Sequence, residues 1–368
     1  MGILKELGVK TYINAFDTVT LWGASRMPGE CIKAIEEISH HFVEMSALQK
    51  AIGDSLAELT HNEAAFVTNG ASSSLLTAAC ACMTLGDRYA FWQLPKTAPV
   101  KNEIILFSGQ RNPYDKAIEC AGATIVQIGS SDGAEPWQLE GAINERTAAV
   151  FYFAASHFQK NVFPLEQVIE IAKRKGIFVV VDAAAQLPPV ENLWRYTGMG
   201  ADLVLFSGGK TLCGPQSSGL VVGTRELIDW FSVIFAPAHG ATRSSKVSRE
   251  DMLALYVAVK KYLQTDFAQQ KQQQQAMLDG MRQRLEQSGL FACRMEDHGP
   301  VGQDFPMLFA IPGNGLDASV LQKRLREYEP GILVGVTGDA IAINPINLEG
   351  DESETVLEAI LSAARSKT

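Results

Sequence analysis

The residue in this sequence best suited to covalent chemistry is a lysine that follows an apolar stretch. Residues 203–206 are four apolar residues in a row, and Ser207-Gly-Gly-Lys210 comes directly after them. Such a run is typical of a strand buried on both faces of a parallel sheet. Burial disfavours the charged form of a lysine and lowers its pKa, so the neutral amine becomes available for Schiff-base formation with an aldehyde. The same residues would also suit an ordinary surface lysine in a loop, so a catalytic assignment of Lys210 depends on other residues in the chain.

Two other motifs share letters with this stretch. Gly209-Lys210-Thr211 matches the end of a P-loop, but that loop needs a glycine at the position of Val204. The stretch from Ser207 to Lys210 fits the S-x-x-K of serine acyl-transferases, whose companion S-D-N and K-T-G motifs are absent from the sequence. We therefore reject the P-loop interpretation and consider the acyl-transferase one weak.

The elements around the lysine alternate between strand and helix. This alternation predicts a mostly parallel sheet with helices on both faces, in which ligands bind at the carboxyl ends of the strands. The predicted strands are 64–68, 103–107, 124–128, 148–153, 177–181 and the one ending at residue 207, and the predicted helices are 72–83, 113–120, 137–143 and 164–175.

Two further candidates lie at strand ends. Asp182 directly follows the apolar run 178–181, so its carboxylate stands at the mouth of a buried strand. After the strand 64–68, Asn69-Gly70-Ala71 reads as a turn and Ser72 begins a helix of small residues. A helix N-terminus with free N–H groups binds anions, although the same letters suit an ordinary connection capped by Ser72.

Pyridoxal phosphate is a cofactor whose binding needs this set of groups. It requires a lysine for the aldehyde, a carboxylate for the ring nitrogen, a cradle for the phosphate and a group against the ring. Lys210 and Asp182 match the first two requirements, and Gly70-Ala71-Ser72 matches the third. Ala184 is small enough to lie flat under the ring. The sequence therefore predicts a pyridoxal 5'-phosphate site at one edge of the sheet.

Length and composition indicate a soluble α/β protein of two domains. The chain has 368 residues, of which 46% are hydrophobic and 20% are charged. We predict an N-terminal arm, 1–27, lying on a large cofactor-binding domain, 28–238. A small α+β C-terminal domain with a linking helix, 239–368, follows the break at residues 236–240.

Charge and cysteine usage exclude several partners. The net charge of −9 and the lack of a basic stripe argue against nucleic acid, and no apolar stretch is long enough to span a bilayer. The six cysteines form no C-x-x-C pair, and no metal site is predicted. Without a recognisable targeting segment, we expect a reduced, cytoplasmic protein that acts on a small molecule.

At these residues the chain resembles the fold-type I pyridoxal-phosphate enzymes. Within them it is similar to the group of bacterial selenocysteine synthase and D-glucosaminate-6-phosphate ammonia-lyase. The resemblance covers nearly the whole chain and implies an aminotransferase-like, three-layer large domain. It is carried by Ile13-Asn-Ala15, Arg111-Asn112, 145–149, 181–185, 200–204, 207–216 and Gly219-Leu, and more loosely by Arg243-x-x-Lys246 and 330–335.

The resemblance implies a function as well as a fold. Lys210 would bind the cofactor aldehyde, and Asp182 would bond the pyridine nitrogen. The implied enzyme is a lyase that removes ammonia from a β-hydroxy amino acid or an amino sugar acid, possibly D-glucosaminate 6-phosphate, and gives a 2-oxo acid. The alternatives are a selenocysteine-synthase-like transferase acting on seryl-tRNA and a non-catalytic relative. The acidic charge and the start close to Ile13-Asn-Ala15 argue against the transferase. A homodimer or a larger even assembly is expected.

The remaining candidates come from the same resemblance and from their positions. Gln110 stands where the ammonia-lyase pattern has histidine, at a position that would stack on the ring, and Ser207 is a further cofactor-binding candidate. His157, near the end of a predicted strand, is a second catalytic candidate, although a lone histidine is more often structural. Four cations remain as candidates: Arg26, Arg111, Arg243 and Lys246. Each is a candidate either for binding an anionic group of the substrate or for a surface salt bridge. The substrate, its stereochemistry and the choice among elimination, transfer and racemisation stay open.

Overall fold

The structure of the chain is a computed structural model that describes residues 2–97, 100–159, 161–313 and 315–365. The strands are β1 (Tyr12–Ala15), β2 (Ala64–Thr68), β3 (Glu103–Phe107), β4 (Thr124–Ile128), β5 (Thr147–Phe153), β6 (Phe178–Asp182), β7 (Leu203–Ser207), β8 (Gly219–Gly223), β9 (Phe291–Glu296), β10 (Met307–Pro312), β11 (Gly331–Thr337) and β12 (Ala340–Ile343). The helices are α1 (Ile3–Glu6), α2 (Gly29–Ser39), α3 (Met45–Leu59), α4 (Gly70–Thr84), α5 (Arg88–Gln93), α6 (Lys116–Cys120), α7 (Pro136–Ala142), α8 (Ser156–Gln159), α9 (Leu165–Lys175), α10 (Asn192–Met199), α11 (Arg225–Ile234), α12 (Arg249–Leu263), α13 (Phe267–Gln287), α14 (Ala318–Arg326) and α15 (Glu352–Arg365). Short 3₁₀ helices lie at Thr20–Trp22, Ser108–Gln110, Pro113–Asp115, Arg243–Ser245 and Pro345–Asn347.

The larger unit, residues 25–264, contains a seven-stranded sheet in the order β2-β8-β7-β6-β5-β3-β4. The five strands from β7 to β4 are parallel, and β8 runs antiparallel to both of its neighbours. All residues of β2, β3, β5 and β8 are buried, as expected for strands covered on both faces. The predicted α/β class with a mostly parallel sheet is confirmed, and the strands 64–68, 103–107 and 124–128 have the predicted bounds.

The polarity of this sheet decides which loops meet. Because β8 reverses direction against both β2 and β7, β2 and β7 point the same way. The residues that follow β2, β6 and β7 therefore emerge at a single edge, the carboxyl rim. Gly219 makes the alignment explicit, since it pairs with Thr68 at the end of β2 and with Ser207 at the end of β7. Two strand spacings, about 10 Å, separate those two strand ends.

The smaller unit, residues 1–24 with 265–368, has its own sheet in the order β1-β11-β12-β10-β9. Its β1 pairs in parallel with β11, and the other neighbours are antiparallel. A core of apolar side chains from the sheet and from α13, α14 and α15 includes Leu285, Leu321 and Ile360. The C-terminal α+β fold expected from the sequence is present in this unit.

The division into units differs from the predicted domains in two places. The N-terminal arm contributes β1 to the smaller unit's sheet, because Tyr12–Ala15 form a ladder with β11. Residues 239–264, expected in the small domain, belong to the larger unit. There α12 buries Ala254 and Ala258 against Cys31 of α2. In place of the one linking helix expected in this region there are two, α12 and α13, and Asp266 caps the second by accepting from the Gln269 N–H at 2.9 Å.

Among the described residues, no helix is both long and apolar enough to cross a membrane. The same part of the chain holds no group of three or more histidine, cysteine, aspartate or glutamate side chains placed to bind a metal.

Candidate active site

The loop that carries Lys210 is tight because two of its glycines leave no room for a side chain. A Cβ on Gly208 would lie 2.1 Å from the Ser218 hydroxyl, and one on Gly209 would lie 2.5 Å from the Gln216 Cα. The Gly208 N–H donates to the Ser218 carbonyl at 2.8 Å, which closes the loop on itself. Lys210 follows directly and is half-buried at the carboxyl rim.

Asp182 ends β6, on the strand next to β7. Its Oδ1 accepts a hydrogen bond from the Ala184 N–H at 2.9 Å. Burial raises the pKa of the Asp182 carboxyl above its ordinary value, while the Ala184 N–H and the charge of Lys210 act in the opposite direction. A buried carboxylate in this position is stabilised by any cationic group that enters the rim.

Ala184 joins the aspartate and lysine strands. Its N–H bonds Asp182, and its carbonyl accepts from the Ser207 N–H at 3.3 Å. A second link, from the Ala183 N–H to the Leu205 carbonyl, measures 2.9 Å. Ala184 is half-buried and small, as the sequence analysis required of a residue under the ring. These bonds hold the ends of β6 and β7 in one arrangement.

The turn after β2 supplies an open helix N-terminus. Gly70 begins the 15-residue helix α4 with a φ of 78°, a left-handed conformation that favours glycine. Asn69 occupies the cap position without a side-chain capping bond, and its Nδ2 donates to the Lys246 carbonyl at 3.0 Å. The first-turn N–H groups, next to half-buried Ala71 and exposed Ser72, are thus available to an anion.

Gln110 is buried, and its side chain bonds to the backbone of β5. Its side chain is 1% exposed, and its Oε1 accepts from the Phe153 N–H at 2.9 Å at the end of β5. Its Nε2 has no partner with hydrogen-bond geometry among the described residues. Burial raises the pKa of the Tyr152 hydroxyl to about 12. The Gln110 amide lies close enough to that hydroxyl to oppose part of the rise. The stacking role suggested for this position stays a prediction.

His157 lies on the four-residue helix α8, shortly after β5, and is exposed. Its ring centroid is 3.9 Å from that of Phe158. Its catalytic role stays a prediction.

The four candidate cations have different surroundings. Arg111 is engaged at the edge of the sheet, where its Nε lies 2.5 Å from Asp115 and its Nη1 2.9 Å from the Gln127 Oε1. This geometry favours a structural role. Arg243 is half-buried, and the described residues offer its guanidinium no ion pair or hydrogen bond. Lys246 is exposed at the segment that Asn69 holds. Arg26 is exposed and directly follows Ser25.

The sequence analysis missed one contact to the lysine loop. The Ser25 hydroxyl donates to the Gly209 carbonyl at 2.7 Å, across 184 positions of sequence. The stretch Gly23-Ala-Ser-Arg26 indicates a glycine turn but gives no sign that Ser25 contacts the lysine loop.

Gly219 is a second position whose role the sequence does not show, since it stands there only as part of a matching motif. A Cβ on Gly219 would lie 2.6 Å from the Thr68 hydroxyl and 2.7 Å from the Gly70 carbonyl carbon, so the turn after β2, which is the candidate phosphate turn, requires glycine at this position.

The class of protein follows from this fold and from the family comparison. Residues 100–350 match the family model described as Aminotransferase class-V. This match covers more than half of the chain, and a curated relative is 33% identical. The chain therefore belongs to the aminotransferase class-V family of pyridoxal-phosphate enzymes.

Three relatives illustrate the range of activities to which the chain is similar. The D-glucosaminate-6-phosphate ammonia lyase of Salmonella typhimurium is 33% identical over 268 residues, 72% of this chain and 70% of the relative. A 5'-C-glycyluridine monooxygenase-decarboxylase of a Streptomyces species is 28% identical over 97% of this chain and 90% of the relative. An L-seryl-tRNA(Sec) selenium transferase of Nitratidesulfovibrio vulgaris is 25% identical over 67% of this chain but only 58% of the relative.

Solved structures agree with the assignment. A D-glucosaminate-6-phosphate ammonia-lyase structure superposes with a TM-score of 0.86 at 27% identity and covers 99% of this chain and 98% of the other. An alanine–glyoxylate aminotransferase from Nostoc sp. has a TM-score of 0.60 at 15% identity, with 97% and 96% coverage. At that identity the likeness shows the fold alone, and it confirms the expected fold-type I, aminotransferase-like architecture.

Pyridoxal 5'-phosphate is the cofactor of this family, and the rim fits it. The N-terminus of α4 suits the phosphate, since no side chain caps its N–H groups. The half-buried Asp182 carboxylate suits a protonated ring nitrogen. Lys210 is the amine in the loop that follows the adjacent strand, β7.

Proposed function

We propose that this protein is a pyridoxal-phosphate lyase that removes ammonia from a β-hydroxy amino acid or an amino sugar acid and gives a 2-oxo acid. D-Glucosaminate 6-phosphate is the candidate substrate. The observation that carries the proposal is that Lys210, in the loop after β7, and Asp182, at the end of β6, follow adjacent strands at one rim, with Ala184 bonded to both strand ends. The 33% identity to an ammonia lyase supports the reaction type.

In this proposal Lys210 has two tasks. Its amine would hold the cofactor aldehyde and, when free, would take the proton from the substrate's α-carbon. When bound, the cofactor supplies an electron sink for the resulting carbanion. Lys210 would then return that proton to the β-hydroxyl as the bond from the β-carbon to its oxygen breaks, so that water leaves. Addition of water to the released enamine's imine form gives ammonia and the 2-oxo acid.

Asp182 keeps a proton on the ring nitrogen. A buried carboxylate with a raised pKa is costly in its charged form, and a cationic N–H within hydrogen-bond reach offsets that cost. The Ala184 N–H holds Oδ1, so the carboxylate keeps one orientation. The Asp182 carboxylate thus favours the protonated ring, which stores electrons better than the neutral one.

A sugar-acid phosphate carries a carboxylate and a phosphate, so the site needs cations beyond Lys210. Arg243 is the best-supported candidate, because it is half-buried and lacks an anionic partner among the described residues. Lys246 and Arg26 lie on segments bonded to the phosphate turn and to the lysine loop, respectively. Arg111 is the weakest candidate, since Asp115 and Gln127 already engage it.

The deciding experiment measures ammonia and 2-oxo acid release from a panel of β-hydroxy amino acids and phosphorylated amino sugar acids. We expect turnover of a phosphorylated member. Arg243→Ala should raise KM for that substrate by roughly tenfold, the effect of about 1.4 kcal/mol of lost binding, with less effect on kcat. Arg111→Ala is the matched control and should leave KM unchanged. No release from any member of the panel would contradict the proposed reaction.

Two relatives suggest further arms of the same assay. Oxygen consumption with loss of carbon dioxide from a glycyl nucleoside would instead support a monooxygenase-decarboxylase like the Streptomyces relative. A gel shift with seryl-tRNA would support the selenium transferase. The net charge of −9 disfavours that outcome, since transfer RNA is polyanionic.

We further propose a cytoplasmic homodimer or a larger even assembly. Phe42 is 98% exposed beside Arg249, whose guanidinium carbon lies 5.6 Å from the ring centroid. An apolar ring presented in this way suits an interface between copies. Light scattering with the purified protein should give an even multiple of the chain mass, and a fully active monomer would contradict the proposal.

A further inference from the structure

Ser25 makes a contact to the lysine loop that the proposed reaction does not yet use. Its hydroxyl donates to the Gly209 carbonyl at 2.7 Å, and the bond is partly buried. Neighbouring carbonyls of the loop use backbone donors instead. Gly208 accepts from the Gly214 N–H at 2.8 Å, and Lys210 accepts from the Cys213 N–H at 2.9 Å. The carbonyl just before Lys210 is thus held by a side chain from a distant part of the sequence.

The backbone before Ser25 follows a defined path. Gly23 and Ala24 both have left-handed conformations, with φ of 86° and 64°. Alanine adopts this conformation rarely, and such residues persist where the surroundings determine them. Ala24 is 6% exposed, and its N–H donates to the Val19 carbonyl at 3.1 Å. Ser25 therefore directly follows a turn whose backbone geometry is fixed by hydrogen bonds within the turn.

We propose that Ser25 is a positioning residue for Lys210. The peptide joining Gly209 to Lys210 is planar, so anchoring its carbonyl oxygen also fixes the orientation of the bond that leads to the lysine Cα. Rotation of that peptide would swing the base of the lysine side chain. Ser25 prevents this rotation and so directs the Lys210 amine along the rim. The inference rests on the proposed role of Lys210.

An alternative is that the bond only stabilises the fold. In that case its loss would lower thermal stability without changing the chemistry of Lys210. The two interpretations differ in a measurable property, the pH midpoint of the visible band formed when cofactor and lysine condense. That midpoint depends on the local geometry and electrostatics of the amine.

The experiment compares Ser25→Ala, Ser25→Thr and Ser288→Ala in the cofactor-loaded protein. Ser288 is the matched control, because its hydroxyl also donates to a backbone carbonyl, that of Leu285, at 2.6 Å. We expect Ser25→Ala to move the pH midpoint and to lower kcat by roughly 10- to 100-fold, as ångström-scale misplacement does. Ser25→Thr keeps the hydroxyl and should restore both values, and Ser288→Ala should match the parent protein.

A second readout uses the protein before cofactor is added. Hydrogen exchange of the amides in 207–214 should be faster in Ser25→Ala than in the parent, and unchanged in Ser288→Ala. If Ser25→Ala does not fold, Ser25→Cys replaces it. Its weaker donor should move the pH midpoint in the same direction by less, and an unmoved midpoint would overturn the proposal.

Lys210→Ala separates failure of this inference from failure of the proposed function. Survival of a borohydride-reducible band in Lys210→Ala would mean that another lysine holds the cofactor. Loss of that band, together with a parent-like pH midpoint and parent-like exchange in Ser25→Ala, would overturn the Ser25 inference alone.

Discussion

Two aspartates at opposite edges of the large sheet have nearly the same local chemistry. Asp182 ends β6 at the carboxyl rim, and Asp202 precedes β7 at the amino rim. Burial raises the pKa of both. The Ala184 N–H and Lys210 oppose the rise at Asp182, and the backbone N–H groups of Val179 and Asp202 together with Lys173 oppose it at Asp202, where Glu226 adds to it. A perturbed pKa therefore does not by itself distinguish an active-site carboxylate from a structural one.

The difference lies in what surrounds each aspartate. Asp202 ties three strands together: its Oδ2 accepts from the Val179 N–H at 2.7 Å, its own N–H donates back to Val179 at 2.9 Å, and its carbonyl accepts from Thr224 at 3.0 Å. Asp182 faces the rim where the lysine loop and the N-terminus of α4 emerge. Ligands bind at the carboxyl ends of parallel strands, so the polarity of the sheet favours Asp182 over Asp202 for the proposed chemistry.

The lysines of the two pairs give the largest contrast. Lys210→Ala should remove the borohydride-reducible band and lower kcat/KM by at least ~10⁴-fold, because both the cofactor's attachment and the base are lost. Lys173→Ala should keep the band and the activity. Absorbance before and after reduction, with product release, tests both variants. A missing band in Lys173→Ala would reverse the assignment.

The aspartates come next. Asp182→Asn should lower kcat by roughly 10²–10³-fold, the usual effect of losing one oriented electrostatic contact, with a modest effect on stability. Asp202→Asn should keep kcat and change the free energy of unfolding at neutral pH by no more than about 1 kcal/mol, since the amide oxygen can still accept from the Val179 N–H. Steady-state kinetics and urea titration separate the two. Equal kinetic losses in both variants would show that the rims are not functionally distinct.

The phosphate turn allows a smaller test of the carboxyl rim. Gly219→Ala places a methyl group 2.6 Å from the Thr68 hydroxyl and 2.7 Å from the Gly70 carbonyl carbon. Overpacking of this kind costs about 1–3 kcal/mol, and we expect it to weaken cofactor affinity because Gly70 must move. Gly141→Ala in α7, where a Cβ meets nothing within 4 Å, is the control. Fluorescence titration with cofactor measures the effect, and equal affinities would contradict it.

The pH dependence of stability should give the smallest effect. A carboxyl with a raised pKa binds its proton more tightly in the folded chain than in the unfolded one. Its contribution to stability is present below the unfolded pKa, about 4, and is lost as the pH rises through the folded pKa. Asp202→Asn should therefore flatten the pH dependence of the cofactor-free protein's unfolding free energy in this acidic window. An unchanged profile in urea titrations would show that the Asp202 pKa is ordinary.

Much of the large domain was predictable because its signals are local. Mostly apolar runs such as 103–107 gave strand bounds that the structure confirms, whereas the helix expected over 72–83 begins two residues earlier, at Gly70. The lysine and the aspartate were found by their positions after such runs. The domain grouping was harder to predict, since β1 pairs with β11 some 320 positions away, at Tyr12 and Gly331. No local pattern reports such a pairing.

The cations of the site show the same limit. Arg111 and Arg243 looked alike in the sequence, but the fold engages one with Asp115 and leaves the other without an anionic partner among the described residues. Gln110 is a candidate for the ring by analogy, and only the fold shows that its amide oxygen accepts from the Phe153 N–H on a neighbouring strand. Which groups meet across strands depends on register and packing. The residue type at a single sequence position indicates neither.

By itself, the sequence determined that Asp182 ends one buried strand and that Lys210 follows another, because apolar runs and the residues that stop them are local properties of the chain. It also predicted a turn at Gly70, because glycine readily adopts a left-handed backbone, although the helix begins at Gly70 and not at Ser72. The tertiary structure decided the strand order that brings the turn after β2 to the same rim as the ends of β6 and β7, through the two reversals at β8. It also decided that Ser25 reaches Gly209, since hydrogen bonds between distant segments exist only after the sheet has ordered its strands.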